Sequence, residues 1–190
     1  MEFPFAAKLQ EALNEKFPSL TTAISRKGNK VSAEGMDEAL FRAVVDYVVN
    51  ELGVTRTHEV VGVDDIETLG AIYVFSAPEH KVMLTLKVSV PRENPVLHGL
   101  TAIYPNLFWH ERELVDLFGF TVLDLPEGPH YPLPDIWPEG NYPMRKDWDP
   151  ACFDKETMTY TPKPQPAAPA AKPAVKPAAK AAETAKKEEA

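Results

Sequence analysis

Cysteine is almost missing from this sequence: Cys152 stands alone among 190 residues. A single thiol cannot close a disulfide within the chain, complete a four-cysteine zinc site or ligate an iron–sulfur cluster. Any redox centre must therefore belong to a partner. Long apolar runs are lacking as well, and nothing approaches the roughly 20 residues that a spanning helix needs. The N-terminus, MEFPFAAKLQ, has neither the basic start nor the apolar stretch of a signal peptide, so a cytoplasmic protein is the expectation. Positive charge is in deficit too, with 20 Lys and Arg against 28 Asp and Glu for a net charge of −8. Glycine-rich phosphate loops, metal-ligand motifs and internal repeats are all absent.

What is present reads as a soluble globular protein, 44% hydrophobic and 25% charged. From about Thr161 the composition changes to TPKPQPAAPAAKPAVKPAAKAAETAKKEEA, with no aromatic residue after Tyr160. Such a stretch buries too little apolar surface to offset an ordering cost of roughly 1–2 kcal/mol per residue, so residues 161–190 are expected to form a disordered tail. Its six lysines against three glutamates give +3, which leaves the rest of the chain at −11. A body that acidic argues against nucleic acid as a partner.

Residues 1–160 are the length of one domain with a core. Phe5, Leu9, Leu13 and Phe17 recur at helical spacing before Pro18. TTAISRKGNKVSAEG alternates around Gly28-Asn29, predicting a hairpin with a two-residue turn. Leu40, Phe41, Val44, Val45, Val48 and Leu52 form the stripe of a second helix between Asp37 and Gly53. Strand-like runs follow at 57–63, 71–77 and 81–90. In the last, Val82, Leu84, Leu86, Val88 and Val90 alternate with Met83, Thr85, Lys87 and Ser89. Helices followed by adjacent strands without long crossovers predict an α+β fold: an antiparallel or mixed sheet with helices packed on one face. The expected organisation is an α+β domain over 1–120, an ordered proline-rich arm over 121–160, and the tail.

The chemistry has to be sought between Pro91 and Trp148. A helix is predicted from about Asn106 to Phe118, ending at Gly119, with Leu107, Leu114, Val115 and Phe118 on one side. Its charges, Glu111, Arg112, Glu113 and Asp116, are either a solvated face or something that must be covered; Arg112 and Asp116, four apart, are placed to pair. His110-Glu111 starts like an HExxH zinc motif, but Leu114 stands where the second histidine would be. A dinuclear site built on Glu113, Asp116 and His110 lacks its second acidic helix. A stand-alone metalloenzyme would have to draw on the scattered His58, His80, His98, His110 and His130.

The segment LDLPEGPHYPLPDIWPEGNYPMRKDWDP carries seven prolines, which exclude a regular helix or central strand. Tyr131, Leu133, Ile136, Trp137, Tyr142, Met144 and Trp148 are interleaved with them, and a plain linker has no use for such a set. It reads as an ordered arm that wraps its own domain, clamps a partner, or does both. A generic adaptor that offers this arm to a soluble signalling partner is a further possibility.

The run WHERELVDLFGF at 109–120, followed by Glu139-Gly140 and by PMRKDW at 143–148, resembles the signature of the 30 kDa subunit family of respiratory complex I, NADH:quinone oxidoreductase. That signature is an aromatic-x-E-R-E-x-x-D-x-F-G helix end and a downstream E-G-x-P-L-R-K-D-F. The resemblance implies a cofactor-free subunit of the hydrophilic electron-transferring arm, cytoplasmic and peripheral to the inner face of the cell membrane. Iron–sulfur clusters and Ni-Fe, or FMN and NAD, would sit in partner subunits. It places Trp109, Glu111, Arg112, Glu113, Asp116, Phe118, Gly119, Trp137, Glu139, Gly140, Pro143, Arg145, Lys146, Asp147 and Trp148 at family-motif and interface positions, and none in catalysis, cofactor binding or metal ligation. Complex I members usually carry a G-H-P-D-L-R-R-like stretch after the first motif and a histidine ahead of the second; here the arginine pair is missing and Asn141-Tyr142 stand at the histidine's place. That shorter form is more similar to subunits of energy-converting membrane-bound [NiFe] hydrogenases of the Ech or CO-induced type, with a [NiFe]-hydrogenase-like large subunit and an iron–sulfur small subunit as expected partners. NADH:quinone oxidoreductase is the alternative. Arg112 and Arg145, each flanked by carboxylates, are expected to form partly buried ion pairs that fix helix end and arm together, with Trp109, Trp137 and Trp148 filling the space between.

Overall fold

The computed structural model describes residues 3–162. The expected tail lies outside the described residues from Lys163 onward. Helix α1 (Pro4–Lys16) is followed by strands β1 (Thr21–Ile24) and β2 (Lys30–Met36), helix α2 (Glu38–Asn50), and strands β3 (Arg56–Asp64), β4 (Thr68–Ala77) and β5 (Val82–Pro91). These strands form one mixed sheet in the order β1-β2-β5-β4-β3, in which only β2 and β5 run parallel. An α+β fold with a mixed sheet is therefore what the chain adopts.

Local chemistry accounts for the elements. Proline opens α1, where its missing N–H costs nothing. Asp37 caps α2 by accepting from the Leu40 N–H at 2.9 Å. In β5 the five alternating apolar residues are all buried, and the opposite face carries Met83, Lys87 and Ser89. The first hairpin differs from its two-residue prediction. Five residues separate Ile24 from Lys30, and Ser25 closes the turn by accepting from the Gly28 N–H, with Gly28 at φ +77°. The glycine needed for a tight turn is there, but it serves a longer one.

A single core joins Leu9 and Leu13 of α1, Phe41, Val44 and Val48 of α2, and the inward residues of β2, β4 and β5. Tyr73 of β4 is its largest fully buried side chain, with Phe41 against its ring at 4.8 Å. Beyond the sheet the chain runs through β6 (Val96–His98), a 3₁₀ turn at Pro105–Leu107, helix α3 (Phe108–Glu113) and a π-helical turn at Leu114–Phe118. Strand β7 (Thr121–Leu123) then pairs in parallel with β6, and β8 (Phe153–Asp154) pairs with β9 (Thr159–Tyr160). Between β7 and β8 the chain is irregular except for a 3₁₀ turn at Pro150–Cys152.

Candidate functional site

The buried end of α3 is organised by one carboxylate. Glu111 is fully buried, and its Oε1 accepts from the Tyr73 hydroxyl (3.0 Å) and the Leu100 N–H (2.6 Å). Oε2 accepts from the Thr101 N–H (3.2 Å) and hydroxyl (2.6 Å). Four donors surround an anion that no lysine or arginine of the described residues reaches, which is how a carboxylate survives in a core. Burial and the adjacent Glu111 charge push the Tyr73 phenol well above its ordinary pKa, so it stays a donor. Gly99 leaves room for the arrangement, because a Cβ there would lie 2.6 Å from Glu111 Oε2. The solvated charged face open to this helix on sequence grounds is thus covered at Glu111 and again at Asp116.

The remaining charges of the first motif hold the beginning of the arm. Asp116 Oδ2 accepts from the Tyr131 N–H (2.7 Å), and Oδ1 contacts His130 Nδ1 (3.0 Å). Arg112 donates to the backbone carbonyls of Pro126 (3.2 Å) and Gly128, with its guanidinium over the Phe108 ring. The predicted Arg112–Asp116 pair is therefore not formed, since both side chains reach across to different points of the arm. Among the described residues Arg112 meets no carboxylate.

The second motif closes over the helix end. Gly119, at φ +73°, ends the π-helical turn, and the Tyr142 ring is seated against it so closely that a Cβ would meet the ring at 2.4 Å. Met144 N–H donates to Leu117 O (3.1 Å), and Arg145 Nε donates to Phe118 O (2.6 Å) with its guanidinium 4.4 Å from the Tyr142 ring centroid. Arg145 thus caps one open helix carbonyl, that of Phe118, where the expected ion pair had it meeting carboxylates. The ion pair at the seam joins Asp147 of the motif to two residues outside it, Arg92 and Asp64. Arg92, just past β5, bridges Asp64 of β3 (2.6 Å) and Asp147 of the arm (2.7 Å). Asp64 also accepts from the backbone N–H groups of Lys146 (2.7 Å) and Ile66 (2.8 Å). Burial alone would raise the Asp64 pKa, but Arg92 and the two N–H donors outweigh it and hold it at about 2.

The tryptophans separate. Trp137 and Trp148 share a cluster with Phe153 and Tyr160, in which Trp137 stacks on Phe153 (4.7 Å) and Trp148 on Tyr160 (5.6 Å). Trp109 does not join them. It is 47% exposed and packs against Phe108 and Tyr131. Phe118 turns inward, where Gly62 of β3 leaves space for its ring. Glu113 and Pro143 are half-buried, whereas Glu139, Gly140 and Lys146 are exposed. Between the helix end and the arm lies a cavity of about 330 Å³ with Asp116, His130, Trp137, Glu139, Asn141 and Tyr142 in its walls.

The histidines are dispersed. His58 contacts Ser76, His80 stacks on Phe5, and His98 contacts Glu38. Among the described residues no group of three or more His, Cys, Asp or Glu is placed to hold a metal ion. No helix of the described residues is long and apolar enough to cross a membrane.

The pattern of the family described as respiratory-chain NADH dehydrogenase, 30 kDa subunit, matches residues 36–153. The C subunit of an F420H2 dehydrogenase from Methanosarcina mazei is 32% identical over 149 residues, covering 76% of this chain and 92% of that one. The C subunit of an NADH-quinone oxidoreductase from Mycobacterium ulcerans is 32% identical over 153 residues, covering 75% of this chain and 63% of that one. The chain thus spans nearly all of the first relative and less than two thirds of the second. Among solved structures, a chain of an archaeal respiratory membrane complex, the membrane-bound sulfane sulfur reductase, superposes with a TM-score of 0.62 at 17% identity, over 82% of this chain and 98% of that one. A trypsin-resistant fragment of Nqo5 gives 0.54 at 21% identity, over 64% and 99%. At those identities the likeness is one of fold.

Proposed function

The chain belongs to the respiratory-chain NADH dehydrogenase 30 kDa subunit family, and from that membership we propose that it is a cofactor-free docking subunit in the peripheral arm of a membrane-bound, complex I-like oxidoreductase. One observation carries the reading. Arg112, Asp116, Arg145 and Asp147 are used inside the chain to fix the arm, and the arm and helix then present Trp109, Tyr131, Ile136 (70% exposed) and Met144 (56% exposed) outward. Large apolar side chains held on a rigid frame are the usual anchors of a subunit interface. Electrons would travel through iron–sulfur subunits and a large catalytic-type subunit packed against this face. The membrane would be reached only through the complex.

A hydrogenase complex is the finer reading, favoured by the short proline-rich arm that lacks the arginine pair and carries Asn141-Tyr142. Purification of the complex through a tag on the full chain tests both levels. Co-recovery of iron–sulfur subunits with membrane-bound partners is expected, and recovery of the chain alone would refute the docking role. Nickel at about one equivalent per complex would support the hydrogenase, whereas bound flavin without nickel would assign a dehydrogenase. Ile136→Asp and Met144→Asp are expected to leave the thermal unfolding of the isolated chain nearly unchanged while reducing co-recovery several-fold.

A further inference from the structure

The cavity between the helix end and the arm has an uneven charge inventory. Its walls hold two carboxylates, Asp116 and Glu139, and one imidazole, His130, but no lysine or arginine of the described residues. Asp116 is buried, and its partners among those residues are His130 and the Tyr131 N–H. No lysine or arginine of the described residues pairs with it. The nearby guanidinium of Arg145 is committed to Phe118 O and the Tyr142 ring and does not line the cavity. Two aromatic walls, Trp137 and Tyr142, complete the site.

Size restricts the occupant further. About 330 Å³ lies near the lower limit of ligand pockets, roughly 300–1,000 Å³, enough for one long side chain and too little for a flavin or nicotinamide dinucleotide. Carboxylates beside aromatic rings in a body of net −11 suit a guanidinium, which is weakly hydrated, stacks on rings and pairs with carboxylates through its planar fork. We propose that this cavity is the socket for an arginine side chain of the partner subunit, so that the arm recognises its neighbour through a buried cation as well as through its exposed apolar residues. The proposal rests on the docking role proposed above and names the partner chemistry at one point of that interface.

The test uses the full chain with n-propylguanidinium as probe and the uncharged n-propylurea as control, followed through the Trp137 indole N–H resonance. Saturable shifts with the guanidinium and none with the urea are expected, and Glu139→Gln should weaken binding at least five-fold. Asp116→Asn should weaken it also, but Glu139 is exposed and its variant tests the socket without threatening the fold. Equal, non-saturating shifts with both probes, or unchanged binding in Glu139→Gln, would overturn the socket. So would a marked gain in probe affinity when the lysines beyond Pro162 are replaced by glutamine, because the chain's own C-terminal segment would then be the occupant. If the complex co-purifies while the probe fails to bind, the socket falls and the docking role stands; if the probe binds but no complex is recovered, the docking role falls instead.

Discussion

Glu111 shows how a charged residue can be structural without a counter-ion among the described residues. Four buried donors converge on it, so Glu111→Ala removes the acceptor of all four and is expected to destabilise the chain by about 3 kcal/mol, read from urea midpoints. Glu111→Gln should cost less, since it keeps one acceptor oxygen but turns an amide N–H₂ toward donors. Asp64 makes the complementary case with a cation. Its folded pKa of about 2 lies below an unfolded value of ~3.9, so its contribution is complete above about pH 4 and is lost as the pH falls towards 2. Urea midpoints of the native chain should decline through that window, and Asp64→Asn should flatten that part of the profile.

Among the elements, the turn from α3 into β7 governs where the arm can lie. Two glycines with nearly the same φ separate local conformation from packing: Gly119 (φ +73°) carries the Tyr142 ring, whereas Gly140 (φ +74°) has nothing within 4 Å of the point where a Cβ would stand. Gly140→Ala should cost about 1–2 kcal/mol, the penalty for a left-handed residue with a Cβ. Gly119→Ala should cost more and also release the arm, seen as faster proteolytic cleavage between Tyr142 and Trp148. Arg112→Ala should expose residues 126–128 to cleavage and hydrogen exchange, because two carbonyls lose their donor. Helix α2 and the alternating β5 were legible because burial on one face imposes a period on the sequence. The arm was legible in composition but not in its bonds. Proline and aromatic content announce an ordered segment, yet Arg112 and Arg145 chose backbone carbonyls over neighbouring carboxylates, and sequence proximity says nothing about such a choice. Asp64 and Arg92 escaped notice because they lie 28 residues apart on a strand end and a turn, and only the sheet brings them to Asp147.

At the scale of the whole molecule, acidity and apolar exposure have different consequences. With −11 on the residues before the tail, association with a basic partner surface should accelerate at low ionic strength, and its rate should fall several-fold between about 50 and 500 mM salt, as measured by surface plasmon resonance on the captured complex partner. The exposed Ile136 and Met144 should affect dissociation instead, with little salt dependence. The motif residues were legible in the sequence as a set, but their division of labour was not. Glu111, Asp116, Arg112, Arg145 and Asp147 face inward or along the seam, whereas Trp109 of the motif faces out together with Tyr131, Ile136 and Met144.

The spacing of the arm's anchors has a consequence for chain length. From Met144 to Asp147 consecutive residues are tied to Leu117, Phe118, Asp64 and Arg92, so one inserted residue would misplace several anchors together. From Pro134 to Asn141 the hydrogen bonds are made within the segment itself, from Trp137 to Pro134 and Asn141 and from Asn141 to Pro138 and Glu139. Additions between Pro134 and Trp137 would enlarge a loop whose hydrogen bonds are local, and leave Trp137 seated on Phe153. Evolution and engineering alike should therefore find room for new sequence between Pro134 and Trp137 and almost none after Tyr142.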